Sequence, residues 1–365
     1  MKNLTQPLPE SLYTEIQRIF RTTPVVLAGS GFSCGFGLPH MGALGNHLAE
    51  HVEPKLKSSE AKVLWTGCLA EVQKNLEAGL NTISLGSQGR DEIIAVLREC
   101  TAALLIQETG KAERHILSQA TPHQLAPARL LRMLFDGAPQ NADSVSLITT
   151  NYDTLLELFC DLADLPLDTG FAGFRHRRPR VGSVFATQYT RHTSAPARGA
   201  QTIEHRPCKT VRLHKPHGSI TWLKTPAGVV ESLSDVSNAS RAVVVPGPSK
   251  YQDALVSPVF DAMRTEMNRL IATATAMFCI GFGFNDEHLQ TVLKERVAKR
   301  MPMVIVTRDT TDNINDVLAA NPHVIAFFKD GDGCLCRWNS QAYLSNFPLW
   351  QLDDFLKTFL EPSTS

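Results

Sequence analysis

Four short stretches of this chain carry residue types that could do chemistry together. The first is Gly29-Ser30-Gly31-Phe32-Ser33, the turn that follows the apolar run Val25-Val26-Leu27. The others are Thr149-Thr150-Asn151-Tyr152-Asp153, His217-Gly218-Ser219 and Gly281-Phe282-Gly283-Phe284-Asn285. A buried strand running into a glycine-rich turn lets a pyrophosphate approach backbone N–H groups, which is how an α/β nucleotide-binding fold opens. The G-x-G-x-x-G spacing is half met. Gly29 and Gly31 fit but Cys34 stands at the third place, which disfavours a dehydrogenase. Histidine is the side chain most often used as a general base, so His217 is the candidate for that role. Each feature also has a structural alternative. Asn151 and Asp153 suit the cap of a helix starting at Thr154, His217 a hydrogen-bonded core position, and Gly281 and Gly283 a tight turn.

Stepping from these residues to the elements that must hold them, each stretch follows an apolar run. Val25–Leu27, Ser144–Thr149, Val211–Leu213 and Ala276–Gly281 read as strands, and none has the period-two polarity of a half-exposed sheet. Met303–Val306 reads as the last strand, and Ala242–Pro246 as one more. Such runs alternating with helices predict an α/β fold, a Rossmann-like parallel sheet covered on both faces. Ligands of an open parallel sheet collect beyond the carboxyl ends of its strands, so the four stretches are expected to converge on one crevice.

Helical spacing is expected at Leu12–Phe20, Met41–His51, Pro258–Thr273 and from Asp286, as a cap, through Arg300. Between about Lys55 and Gly137 only helices are expected: one covering Ile93–Ile106, then Ala112–Gln119 and Pro127–Phe135. The domain reading is residues 10–44 with 141–330 as the Rossmann domain and 45–140 as a helical insertion. Residues 331–365 form a C-terminal extension whose helix docks through Leu349, Leu352, Leu356 and Phe359. Residues 168–207 hold Arg175, Arg177, Arg178, Arg180, Arg191, Arg198 and Arg206 against Asp168 and Glu204. They are read as a basic solvated loop.

Composition narrows the function classes. The 36 basic and 36 acidic residues cancel, so no global charge draws the chain to nucleic acid or an anionic membrane. The N-terminal stretch lacks an apolar signal core, and the most apolar segment, Leu270–Phe284, is too short to span a bilayer. The eight cysteines are scattered with no C-x-x-C pair, which suits reduced thiols in the cytoplasm and leaves no structural zinc site.

As a set, G-S-G-F-S with Gly37-Leu38-Pro39, T-T-N-Y-D, H-G-S and I-G-F-G-F-N-D resembles the sirtuin fold. It most resembles the zinc-less bacterial sirtuin-like proteins that hydrolyse NAD+ in anti-phage defence. The resemblance implies catalytic roles for Asn151 and His217, with His214 a lesser candidate because no glycine follows it. It implies NAD+ contacts for Gly29, Ser30, Gly31, Ser33, Asp153, Gly218, Ser219, Gly281, Gly283 and Asn285, with Ser219 and Asn285 on the adenosine side. It further implies NAD+ as substrate, no metal, homo-oligomers and, in some relatives, a HerA-like ring ATPase as partner. The paired C-x-x-C zinc module of deacetylating sirtuins is absent from this sequence. NAD+ hydrolysis is therefore the leading expectation. A protein deacylase and a non-catalytic NAD-sensing module are the rivals.

Overall fold

Strands that are apolar at every position become the middle of one sheet, because only there are both faces dry. The computed structural model describes residues 7–74, 76–84, 86–194, 202–236, 238–244 and 257–361. In chain order it opens with α1 (Glu10–Arg21), β1 (Val25–Ala28), α2 (Ser30–Cys34) and α3 (Met41–His51). Helices α4 (Ser59–Lys74), α5 (Leu76–Asn81), α6 (Arg90–Leu117) and α7 (Ala126–Gly137) follow. Next come β2 (Ser144–Thr149), α8 (Leu155–Leu162), β3 (Leu167–Asp168), β4 (Phe171–Ala172), β5 (Arg178–Pro179), β6 (Gln188–Ser194) and β7 (Thr202–Cys208). Then β8 (Thr210–His214), β9 (Gly218–Thr225), β10 (Gly228–Glu231), β11 (Ser240–Val243) and α9 (Pro258–Thr273). The chain continues through β12 (Met277–Ile280), α10 (Glu287–Ala298), β13 (Met303–Val306), α11 (Asp312–Ala320) and β14 (Ile325–Asp330). It closes with β15 (Gly333–Trp338), β16 (Gln341–Ser345) and α12 (Leu352–Phe359).

Nine strands form the main sheet in the order β16-β15-β14-β13-β12-β1-β2-β8-β3. It is parallel from β14 to β3, and only the β14–β15–β16 edge is antiparallel. Side chains alternate between two cores. Val26, Ala28, Leu147, Phe278, Ile280, Val304 and Val306 pack with α1, α7, α8 and α12. Val25, Leu27, Ile148, Met277, Cys279, Met303 and Ile305 pack with α9, α10 and α11 on the opposite face. A separate core, Leu44 to Cys100 with Trp65 fully buried, holds α3 to α5 and the first half of α6. A fourth, centred on Trp222 and Phe260, sits under the three-stranded sheet β10-β9-β11.

Several expectations are corrected. Met303–Val306 is not the last strand: β14, β15 and β16 extend the sheet beyond it, so the tail contributes strands before its helix. The two helices expected at Ile93–Ile106 and Ala112–Gln119 are one, α6, because Gln107–Lys111 contains no proline and its lone Gly110 does not stop a helix. The described parts of this basic stretch, 168–194 and 202–207, are not an irregular loop. They hold the end of β3, then β4 to β6 and most of β7, and Arg180 and Arg177 are spent on ion pairs with Asp168 and Glu231, both 2.6 Å. Arg198 lies outside the described residues, as do Val245 and Pro246 of the strand expected at 242–246, which is observed as Ser240–Val243. Among the described residues no helix is long and apolar enough to cross a membrane.

At the carboxyl edge, register places Ala28 beside both Thr149 and Ile280. The chain runs outward from β1 through β2 to β8, then returns to β12 on the other side of β1. The gap between β1 and β12 is therefore the topological switch point. There the two glycine turns meet backbone to backbone. Gly31 N donates to Gly281 O (2.9 Å), and a Cβ on Gly281 would stand 2.3 Å from Phe32 N. Gly281 also has φ +57, a left-handed backbone that side chains resist. Gly281→Ala is expected to lower stability by about 3–5 kcal/mol, strain plus overpacking. Gly331→Ala, at φ +55 but with nothing within 4 Å, should cost only about 1–2 kcal/mol. Denaturant midpoints of the two variants check this contrast; equal losses would contradict it.

Candidate active site

Thr149 ends β2 by donating its hydroxyl to Ala28 O (2.9 Å) and accepting from Asn151 N (3.1 Å). This bends the chain so that the Asn151 side chain crosses to the β1 turn. Its Nδ2 donates to Gly29 O and to Ser33 Oγ, both at 2.8 Å. A backbone carbonyl can only accept, so the amide orientation is determined: nitrogen toward β1, Oδ1 away. Both amide hydrogens are used, and among the described residues Oδ1 has no partner. Ser33, buried, passes its own proton to Asp153 Oδ2 at 2.7 Å. Asp153 uses Oδ1 to accept from Leu155 N (3.1 Å) and so also starts α8.

Beneath this loop lies a side chain that sequence reading passed over. Lys215, 1% exposed, donates to Asp153 O (2.5 Å) and pairs with Glu157 Oε1 (2.7 Å). Burial pushes the Glu157 carboxyl up, opposed by the charge of Lys215. The only sequence signal was the position of Lys215 directly after a strand with no outward face.

The β9 side is tied to the same loop. Ile220 N donates to Tyr152 O (2.8 Å), Ser219 Oγ donates to Tyr152 O (3.3 Å), and Val244 N donates to His217 O (2.9 Å). Gly218 has φ +85, and a Cβ there would lie 2.2 Å from Ala242 O, so no other residue fits the turn. His217 stands with its ring 6.5 Å from that of Tyr152 and its Nε2 2.8 Å from Asp286 Oδ2. Asp286 caps α10 through Leu289 N, as the sequence suggested, but its contact with His217 was not foreseen. His214 is a core residue: it is 1% exposed, its Nδ1 donates to Leu147 O (3.0 Å), and burial pushes it down to about 4.

The structure thus brings Gly29, Gly31, Ser33, Asn151, Asp153 and Gly281 into one bonded unit, with Gly218, Ser219 and His217 joined through Tyr152. Not all of them face open space. The N–H groups of Gly29, Gly31 and Phe32 are spent on Ile280 O, Gly281 O and Gly29 O. At the first turn Ser30 is the exposed polar side chain, while Ser33 and Ser219 are buried. Asn285 is exposed and its Oδ1 accepts from Asn313 Nδ2 (2.9 Å), while Gly283 O accepts from Thr311 Oγ1 (2.6 Å). Among the described residues no group of three His, Cys, Asp or Glu side chains is placed to hold a metal ion.

The buried pair gives a direct test. Lys215→Met leaves Glu157 without its cation and should cost about 3–5 kcal/mol. Lys215→Met combined with Glu157→Leu should recover most of that loss. Chemical denaturation of the single and double variants checks this. A double variant no better than the single would contradict the pairing argument.

A family model of the SIR2-like domain matches residues 145–324. No curated protein matches the sequence. Among solved structures, similarity extends to a Sir2 homologue in complex with NAD, 13% identical over 88% of this chain and 89% of that one, TM-score 0.43. It also extends to a substituted Sir2 homologue with 2′-O-acetyl ADP ribose, 14% identical over 98% and 100%, TM-score 0.44. A third is a Sir2 enzyme, 12% identical over 85% and 90%, TM-score 0.41. The matched residues 145–324 carry Asn151, Asp153, His217 and Gly281.

Proposed function

We propose that this protein is an NAD+ glycohydrolase that cleaves NAD+ to nicotinamide and ADP-ribose. The observation that supports it most is Asn151: both amide hydrogens are tied to β1, and Oδ1 is left as an oriented acceptor beside the loop that holds His217. In the reaction the bond between nicotinamide nitrogen and ribose C1′ breaks, and its electron pair neutralises the pyridinium. The ribose passes through an oxocarbenium-like state. Water then adds at C1′ and its proton goes to His217 and on to solvent. Asn151 Oδ1 accepts from the water or a ribose hydroxyl and holds it in line, which is catalysis by positioning. Ser33 and Asp153 keep that amide in place rather than touching substrate. Ser30 contributes to the pyrophosphate side, and Gly283 and Asn285 to the adenosine side.

Unchecked NAD+ consumption would kill a cell, so the reading includes control. The enzyme acts as an abortive-infection effector in the cytoplasm, gated by assembly into homo-oligomers or with a HerA-like ring ATPase. Nothing in the geometry favours a deacylase.

Turnover of NAD+ by the purified protein, following nicotinamide and ADP-ribose, is expected to fall by about 100-fold or more in Asn151→Ala and His217→Ala. Binding of NAD+ without turnover, unchanged by His217→Ala, would mark a sensing module instead.

A further inference from the structure

Among the described residues, the carboxylate that reaches His217 comes from a distant part of the chain. Asp286 sits in the turn between β12 and α10 and is 8% exposed. One oxygen, Oδ1, accepts from Leu289 N at the start of α10 (3.2 Å), and its main-chain oxygen accepts from Gln290 N (3.0 Å). The other oxygen, Oδ2, lies 2.8 Å from His217 Nε2. The carboxylate is thus clamped by a helix end through Oδ1 and presents Oδ2 to the imidazole.

We propose that Asp286 is the positioning residue of the His217 base: it holds the ring with Nε2 protonated and leaves the lone pair on Nδ1. An ionised carboxylate can only accept, so the hydrogen of this contact must come from the ring. Among the described residues Nδ1 has no hydrogen-bond partner, which makes it the basic atom. Tyr152, whose ring lies 6.5 Å from that of His217, gives its hydroxyl to Val244 O (2.5 Å). When Nδ1 takes the proton of the attacking water, the cation formed lies against the Asp286 carboxylate. This is the logic of a base oriented by a third group. The inference rests on the hydrolase reading for its catalytic consequence, but not for the tautomer itself.

Asp286→Asn separates the two. Asparagine keeps the cap if its oxygen faces Leu289 N. Its NH2 then faces Nε2 and can only donate, which forces the ring hydrogen to Nδ1. The imidazole nitrogen-15 shifts of His217 in the NAD-free protein are expected to show Nε2–H in the wild type and Nδ1–H in the variant. In the turnover assay kcat should fall about 10–100-fold, with KM within about twofold. Nδ1–H in the wild type, or one tautomer in both proteins, overturns the proposal whether or not NAD+ is cleaved. A variant with wild-type kcat overturns it while leaving the hydrolase reading intact. A wild-type protein that leaves NAD+ untouched sinks the hydrolase reading alone, and the tautomer still decides on Asp286. The wild-type spectrum needs no substitution, so a variant that failed to fold would not remove the test.

Discussion

The contact on which the rest depends is the meeting of two glycine turns at the centre of the sheet. Gly29 and Gly31 lie so close to Gly281 that a Cβ on any of the three would strike backbone atoms within 3 Å. This close approach holds the ends of β1 and β12 level. It also fixes the Gly29 carbonyl where Asn151, at the end of β2, can reach it. The glycines were expected to make room for a pyrophosphate. Their first duty is to make room for each other, and the N–H groups they would have offered are largely spent in doing so.

From that contact a chain of fixed groups runs outward. Gly29 and Ser33 orient Asn151, Asp153 orients Ser33, and Lys215 with Glu157 holds the backbone of Asp153 from below. A buried ion pair adds little net stability on average, but breaking one is costly, which makes it suited to holding a loop in one conformation. On the other side, Tyr152 O carries both Ile220 and Ser219, and so carries the turn of His217. The resulting site is rigid where it touches the sheet and open at Asn151 Oδ1 and His217 Nδ1.

Much of this was legible in the residues themselves. Strands such as VVLA, MFCI and MVIV announce themselves because a strand covered on both faces has no polar position. The gathering of four strand ends followed from the parallel sheet alone. The run Ile325–Phe328 carried the same signal as the other central strands and was passed over. Beyond it, the buried Cys334 and Cys336 alternate with more exposed neighbours, the mark of an antiparallel edge. The β6–β7 ribbon was not legible, since residues 188–193 and 203–206 are exposed on both faces and leave no periodicity to read. The partners of His217 and Asn151 were hidden for another reason. The contacts that Asp286 makes with His217 and that Ser33 accepts from Asn151 are tertiary, and no local pattern distinguishes a capping aspartate from one that also orients a base.

The most direct test of the account is the crystal structure of the His217→Ala protein with NAD+. The account predicts the nicotinamide ribose at the gap between β1 and β12, with a hydroxyl or an ordered water hydrogen-bonded to Asn151 Oδ1 and C1′ facing the space left by the imidazole. NAD+ bound away from the four strand ends, or a ribose that makes no contact with Asn151, would contradict it.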